Sequence, residues 1–127
     1  MEQATELFAA VLFAVIGLSH IVQPRAWVDF FITLRAKGYA GAFVNGFFSL
    51  SLGALIVSFH NVWEGLPMIL TLVGWAQVLK GIVNLVVPRV ALWGFAQVSH
   101  ERAWQFVAGG ILALALSAVF FCIGLTH

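Results

Sequence analysis

Residues 72–89 read LVGWAQVLKGIVNLVVPR. The run is apolar enough to cross a bilayer, for which a helix needs about 20 predominantly apolar residues. Proline disfavours helical geometry in the residue before it, so Pro88 closes the run. Yet the stretch keeps Gln77, Lys80 and Asn84. With Thr71, Gly74 and Gly81 they recur every three or four residues, which is one polar face of a helix. The reading is a membrane helix with one face built for something other than lipid.

The rest of the chain supports that reading. It has 127 residues, 62% hydrophobic and 9% charged, with a mean hydropathy of +1.03. Soluble domains sit near 45–50% apolar and about 25% charged. Apolar runs cover about 5–22, 41–59, 66–87 and 103–125, and none alternates with the period-2 pattern of a membrane barrel. The expected fold is all-α, a four-transmembrane-helix bundle forming a single transmembrane domain over 1–127. The opening "MEQATELFAAVLFAVIGLSHIVQPR" has Glu2 and Glu6 and no basic residue before its apolar run. That is the wrong sign for a signal peptide, so a retained first span is expected. Pro67 suits the first turn of the third span.

Charge sets an expected orientation. Arg25, Arg35, Lys37, Arg89 and Arg102 follow the first and third spans, whereas Glu2, Glu6 and Glu64 lie on the other side. Basic residues stay cytoplasmic, which puts both Pro-Arg connections inside and both termini outside. The first connection, "QPRAWVDFFITLRAKGY", reads as a short interfacial helix with Arg25 and Asp29 paired one turn apart. Trp27, Trp63, Trp93 and Trp104 lie near span boundaries, where indoles anchor at headgroup level.

A shift of 64 residues aligns the two halves without a gap. Gly17 meets Gly81, Pro24–Arg25 meets Pro88–Arg89, Phe31 meets Phe95, and Gly46 meets Gly110. Two tandem two-helix repeats, 1–64 and 65–127, are therefore expected, in parallel orientation and with the main seam between halves. Gly46, Ser49 and Gly53, and likewise Gly110, Ala113 and Ser117, place small residues at helical spacing. Such stripes let membrane helices approach closely, so these six are read as packing or interface positions.

Lys80 raises the chemical question. It lies eight residues before Pro88, roughly 12 Å of helix rise. A lysine at the centre of a span costs about 2.5–3.5 kcal/mol on insertion scales. With the acids read at the ends, no Asp or Glu is expected inside a span to offset it. The candidate ligand-binding set is His20, Asn45, Gln77, Lys80 and Asn84, at a seam between spans. His60, His100 and His127 fall near span ends or loops, so no histidine pair shares a face at metal-ligand spacing, and no metal or cofactor is expected. The single Cys122 is a small hydrophobe in this setting. Phosphate loops, nucleophile elbows and paired carboxylates are absent, and no catalytic residue is identified. A net charge of +1 gives no reason to expect nucleic acid.

With Gly17, His20, Pro24, Asn45, Gly46 and Gly53 in place, "GLSHIVQPRAW" and "NGFFSLSLGALIV" resemble DoxX-like four-helix membrane proteins. "KGIVNLVVPRVALWGF" is similar to the YjeT-like proteins, which are about one two-span unit long. The resemblance implies a small bacterial inner-membrane protein. Ser49 stands where DoxX-like proteins often carry an acid. The expected function is a non-enzymatic accessory or self-associating subunit, with lipid and other membrane subunits or further copies as partners. Two alternatives stay open: a minimal carrier or channel for a small anionic or amphipathic ligand at the His20/Lys80/Asn84 seam, and a lipid- or quinone-binding partner of a redox complex.

Overall fold

The computed structural model describes residues 1–126. Six α-helices follow in order: α1 (Glu2–Val22), α2 (Pro24–Ala36), α3 (Tyr39–Phe59), α4 (Met68–Val86), α5 (Pro88–Ala96) and α6 (Trp104–Thr126). A 3₁₀ turn at His100–Arg102 leads into α6, and the described residues contain no strand. Four of these helices are long and apolar enough to cross a membrane. A 21-residue helix such as α1 rises roughly 30 Å, the thickness of a hydrocarbon core. Large apolar side chains such as Phe47, Leu79 and Ile111 point outward, as lipid contact requires.

The breaks between helices are made twice by the same chemistry. Gln23, before Pro24, sits at φ −130° and ψ 56°, and Val87, before Pro88, at φ −127° and ψ 67°. Both leave helical geometry because the proline ring crowds the preceding residue. In each case the backbone N–H still closes the last turn, Gln23 onto Ser19 and Val87 onto Val83. The next turns differ. Gly38 at φ 62° reverses the chain between α2 and α3, a conformation glycine adopts without steric cost. The corresponding place after α5 uses the 3₁₀ turn instead. The pairing expected between Arg25 and Asp29 is not formed. The 3₁₀ turn brings His100 beside α2, and its Nε2 lies 2.9 Å from Asp29 Oδ1.

The closest packing joins α1 to α6 and α3 to α4, each pair antiparallel. Each pair joins one span from either half, so the main packing lies between the halves as expected, and a second, looser seam separates the α1/α6 pair from the α3/α4 pair. Glycines explain this. A Cβ built on Gly17 would stand 2.8 Å from the Gly110 carbonyl oxygen, and one on Gly46 would stand 3.2 Å from that of Gly81. Only helices lacking side chains at those points approach so near. Meanwhile α2 carries the chain away from α1 before α3 begins, so the two spans of one half barely touch.

Two apolar clusters hold the pairs together at opposite ends. At the end bearing Met1 and the 60–67 connection, Ala9, Ala10, Ile56, Leu70, Phe120 and Ile123 are buried together. At the Pro-Arg end, Leu34, Ala42, Ala91 and Phe95 form a second cluster, in which α2 and α5 cover the bundle. Between them the bundle is not filled.

Candidate functional site

The unfilled middle is a partly open cavity of about 630 Å³, with exposed residues such as Phe48, Lys80 and Gln105 at its edge. Phe13, Ile16 and His20 of α1 line it with Phe106, Gly109 and Ala113 of α6. Asn45, Phe48 and Leu52 of α3 face them with Gln77 and Lys80 of α4. Trp27, Phe30 and Phe31 of α2 close the Pro-Arg end, and Gln105 adds an amide. The walls are unequal: Asn45, Gln77 and Lys80 make the α3/α4 side polar, whereas the α1/α6 side is apolar apart from His20 and Gln105.

Of the five residues singled out from sequence, four line this cavity: His20, Asn45, Gln77 and Lys80. Asn84 lies behind the wall, nearly fully buried. Its Nδ2 donates to the Lys80 carbonyl at 2.7 Å, and its Oδ1 accepts from Asn45 Nδ2 at 3.1 Å. Asn84 thus holds Asn45 and the backbone under Lys80. The Lys80 side chain is accessible from the cavity, and among the described residues it has no ion-pair partner.

His20 is oriented by three contacts. Its Nδ1 lies 2.7 Å from the Ile16 carbonyl oxygen, so Nδ1 carries the proton and donates. Nε2 is the remaining polar atom of the ring. One ring face stacks on Trp27 with centroids 4.1 Å apart, and Phe106 lies at 5.8 Å. Trp27 is pinned by its Nε1–H, which donates to Ser19 Oγ at 3.0 Å. It is therefore half-buried cavity wall. Phe31 stacks on Phe106 and continues the aromatic lining.

The six small residues have intrachain neighbours. Gly46 lies on Asn84, Gly53 on Val78 and Gly74, and Gly110 on Gly17 and His20. Ser117 Oγ donates to the Ala10 carbonyl at 2.6 Å. Ser49 is buried, and Ala113 both meets Gly17 and lines the cavity.

A second polar cluster lies at the other end, and the sequence reading did not anticipate it. Glu6 is fully buried within α1, so a span does hold an acid. Its Oε2 lies 2.8 Å from Nε2 of His60, also fully buried, at the end of α3. His60 Nδ1 lies 3.0 Å from Thr71 Oγ1 of α4. Thr71 Oγ1 accepts from the Val62 N–H at 3.0 Å and donates to the His60 carbonyl at 3.3 Å. The helical period held a signal for this: Glu6 shares its face with Ala10, Phe13, Gly17 and His20, which turn inward. No group of three or more His, Cys, Asp or Glu side chains among the described residues could hold a metal ion.

No protein-family model matches this chain, and neither a curated protein nor a solved structure matches it.

Proposed function

We propose that this chain is a small integral membrane protein that binds one anionic, amphipathic molecule in the cavity between its two helix pairs. One observation carries the reading: Lys80 faces a cavity of about 630 Å³ without a counter-charge among the described residues. An ammonium in so apolar a setting is costly, and an anion beside it offsets that cost. Asn45 and Gln77 flank Lys80 with amide groups, and the aromatic wall opposite suits an apolar body. That division of polar and apolar lining is typical of small-molecule sites. Passage of the ligand through the bundle, as in a minimal carrier, extends the same reading.

The proposal includes descent from a duplicated two-helix unit, in keeping with the resemblance to DoxX-like proteins. Three pairs of positions 64 apart line the one cavity: Phe13 with Gln77, Ile16 with Lys80, and Asn45 with Gly109. Contacts also recur at that shift. Gly17 lies on Gly110 as Gly46 lies on Gly81, and Ser117 meets the Ala10 carbonyl as Gly53 meets that of Gly74. The cavity would then straddle the axis relating the halves, along the membrane normal. The basic residues of the Pro-Arg end support a cytoplasmic location for it, in a bacterial inner membrane. An accessory or self-associating subunit has less support, because the small residues that suggested it face partners within the chain.

Native mass spectrometry of protein extracted gently from its own membrane tests the reading, with wild type beside Lys80→Met. A small anionic molecule or lipid bound to wild type and lost from a folded Lys80→Met protein is the expected result. A molecule retained equally by both, or none in wild type, overturns it.

A further inference from the structure

The cavity has an opening as well as a lining, and the opening selects what reaches Lys80. Phe48 of α3, Lys80 of α4, and Gln105 and Gly109 of α6 line the cavity and are exposed, so they mark its rim. Gln105 lies in the first turn of α6, at the Pro-Arg end. Phe48 lies nine residues into α3 and Lys80 eight before Pro88, roughly 12–14 Å along their helices. A hydrocarbon core is about 30 Å thick, so the rim runs from one surface nearly to the middle.

The ends of the cavity are covered. Half-buried Trp27 and Phe31 of α2 lie across the Pro-Arg end. At the other, Ala9, Ala10, Ile56, Leu70 and Phe120 pack together beyond the cavity. Helices α4 and α6, which carry most of the rim, do not pack closely on one another. The cavity therefore opens sideways, at a depth where the neighbour of a membrane helix is lipid.

That depth restricts the chemistry of the guest. A permanently charged group has to carry its charge through hydrocarbon to reach such an opening. A weak acid crosses in its neutral form and ionises on arrival. The polar wall then suits a carboxylate, which accepts hydrogen bonds at two oxygens and donates none. The Lys80 ammonium offers three N–H groups and the Gln77 amide two. Asn45 Nδ2 keeps a second hydrogen after donating to Asn84. Size narrows the choice further. An apolar cavity of about 150 Å³ takes benzene. By that ratio the 630 Å³ here takes roughly 25 non-hydrogen atoms. One acyl chain with its carboxyl group fits, and a two-chain lipid does not. Phe13, Ile16, Leu52, Phe106 and Ala113 give the chain an apolar bed.

We propose that the guest is a single-chain carboxylic acid drawn sideways out of the leaflet on the Pro-Arg side. It enters as the neutral acid. Beside Lys80 its O–H bond breaks, the proton passes to water at the Gln105 edge, and the carboxylate stays with the ammonium. This rests on the anion-binding reading of the cavity and adds to it the class of ligand and the route.

The test uses the full chain in lipid nanodiscs with tetradecanoic acid carrying ¹³C at its carboxyl carbon. The carboxyl resonance is followed by NMR in wild type, in Lys80→Met, and in Gly109→Leu, which keeps the lysine and fills the space. Tetradecyl sulfate, equal in chain and always charged, is the competitor. The expected result is a bound carboxylate signal in wild type that is lost in both variants and survives an equal amount of the sulfate. Displacement by the sulfate overturns the weak-acid class. A signal retained in a folded variant of either kind overturns the placement at Lys80. No bound signal, with another anion found on wild type by native mass spectrometry, overturns this inference alone. No bound signal and no native anion overturns the reading beneath it as well. The route is tested by a spin label at Phe48 on a Cys122→Ser background. Stronger relaxation by dissolved oxygen than by a water-soluble nickel chelate is expected. The reverse order puts the rim in water and overturns sideways entry.

Discussion

Gly17 and Gly110 face each other with no room for a methyl group: a Cβ on Gly110 would stand 2.5 Å from the Gly17 carbonyl oxygen and 2.9 Å from His20 Cβ. Gly94 and Gly109, by contrast, would gain a Cβ in open space. Overpacking costs typically about 1–3 kcal/mol, so Gly110→Val should lower unfolding stability in micelles by that amount. Gly94→Ala, in the interior of α5, should raise it by about 0.5–1 kcal/mol through backbone entropy. Equal effects at the two sites would show that α1 and α6 do not approach as described.

Gly109 allows the cavity to be filled without disturbing its walls. Gly109→Leu should keep stability within about 0.5 kcal/mol of wild type, yet abolish retention of the bound molecule in native mass spectrometry. It complements Lys80→Met by removing space and leaving the charge. A stable Gly109→Leu protein that still carries the molecule would locate the molecule elsewhere.

Asn45 and Asn84 meet across the α3/α4 interface at 3.1 Å. Side-chain hydrogen bonds between membrane helices average about 0.6 kcal/mol and reach about 1.7 kcal/mol. A double-mutant cycle of Asn45→Ala and Asn84→Ala should return a coupling in that range. The Asn84→Ala single mutant should cost more than Asn45→Ala, because Asn84 also holds the Lys80 carbonyl.

The two histidine–carboxylate contacts should behave oppositely. His100 and Asp29 are 50% and 68% exposed, so Asp29→Asn should change stability by no more than about 1 kcal/mol. Glu6 and His60 are both fully buried, and breaking such a pair from one side typically costs about 3–5 kcal/mol. His60→Leu should fall in that range. Glu6→Leu with His60→Leu should recover much of the loss. Similar costs for the exposed and the buried pair would contradict the burial of Glu6.

Much of this organisation is legible in the sequence because bilayers impose strong constraints. Apolar runs of span length and the Pro-Arg breaks locate the helices within two or three residues. The polar face of α4 points to the cavity, since Gln77 and Lys80 have no reason to face lipid. What the sequence hides is pairing at long range. Trp27, Phe31 and Phe106 meet only once α2 folds over the bundle. Glu6 and His60 are 54 residues apart, and each taken alone resembles a solvated group at a helix end. Periodicity gives Asn84 a face, whereas its burial is decided by which neighbour covers it.

The unequal walls of the cavity have one more consequence. Ile16 and Lys80, 64 residues apart in the sequence, face the same space. If two identical copies of one half had paired about an axis, that space would hold either two ammonium groups or none. Two would repel each other in a medium that screens them poorly, and none would leave nothing to orient a charged guest. On the proposed duplication, joining the halves in one chain frees them to differ, and so permits an odd charge near an axis of even symmetry. The guest proposed for this space would have one preferred end to offer and one way to lie.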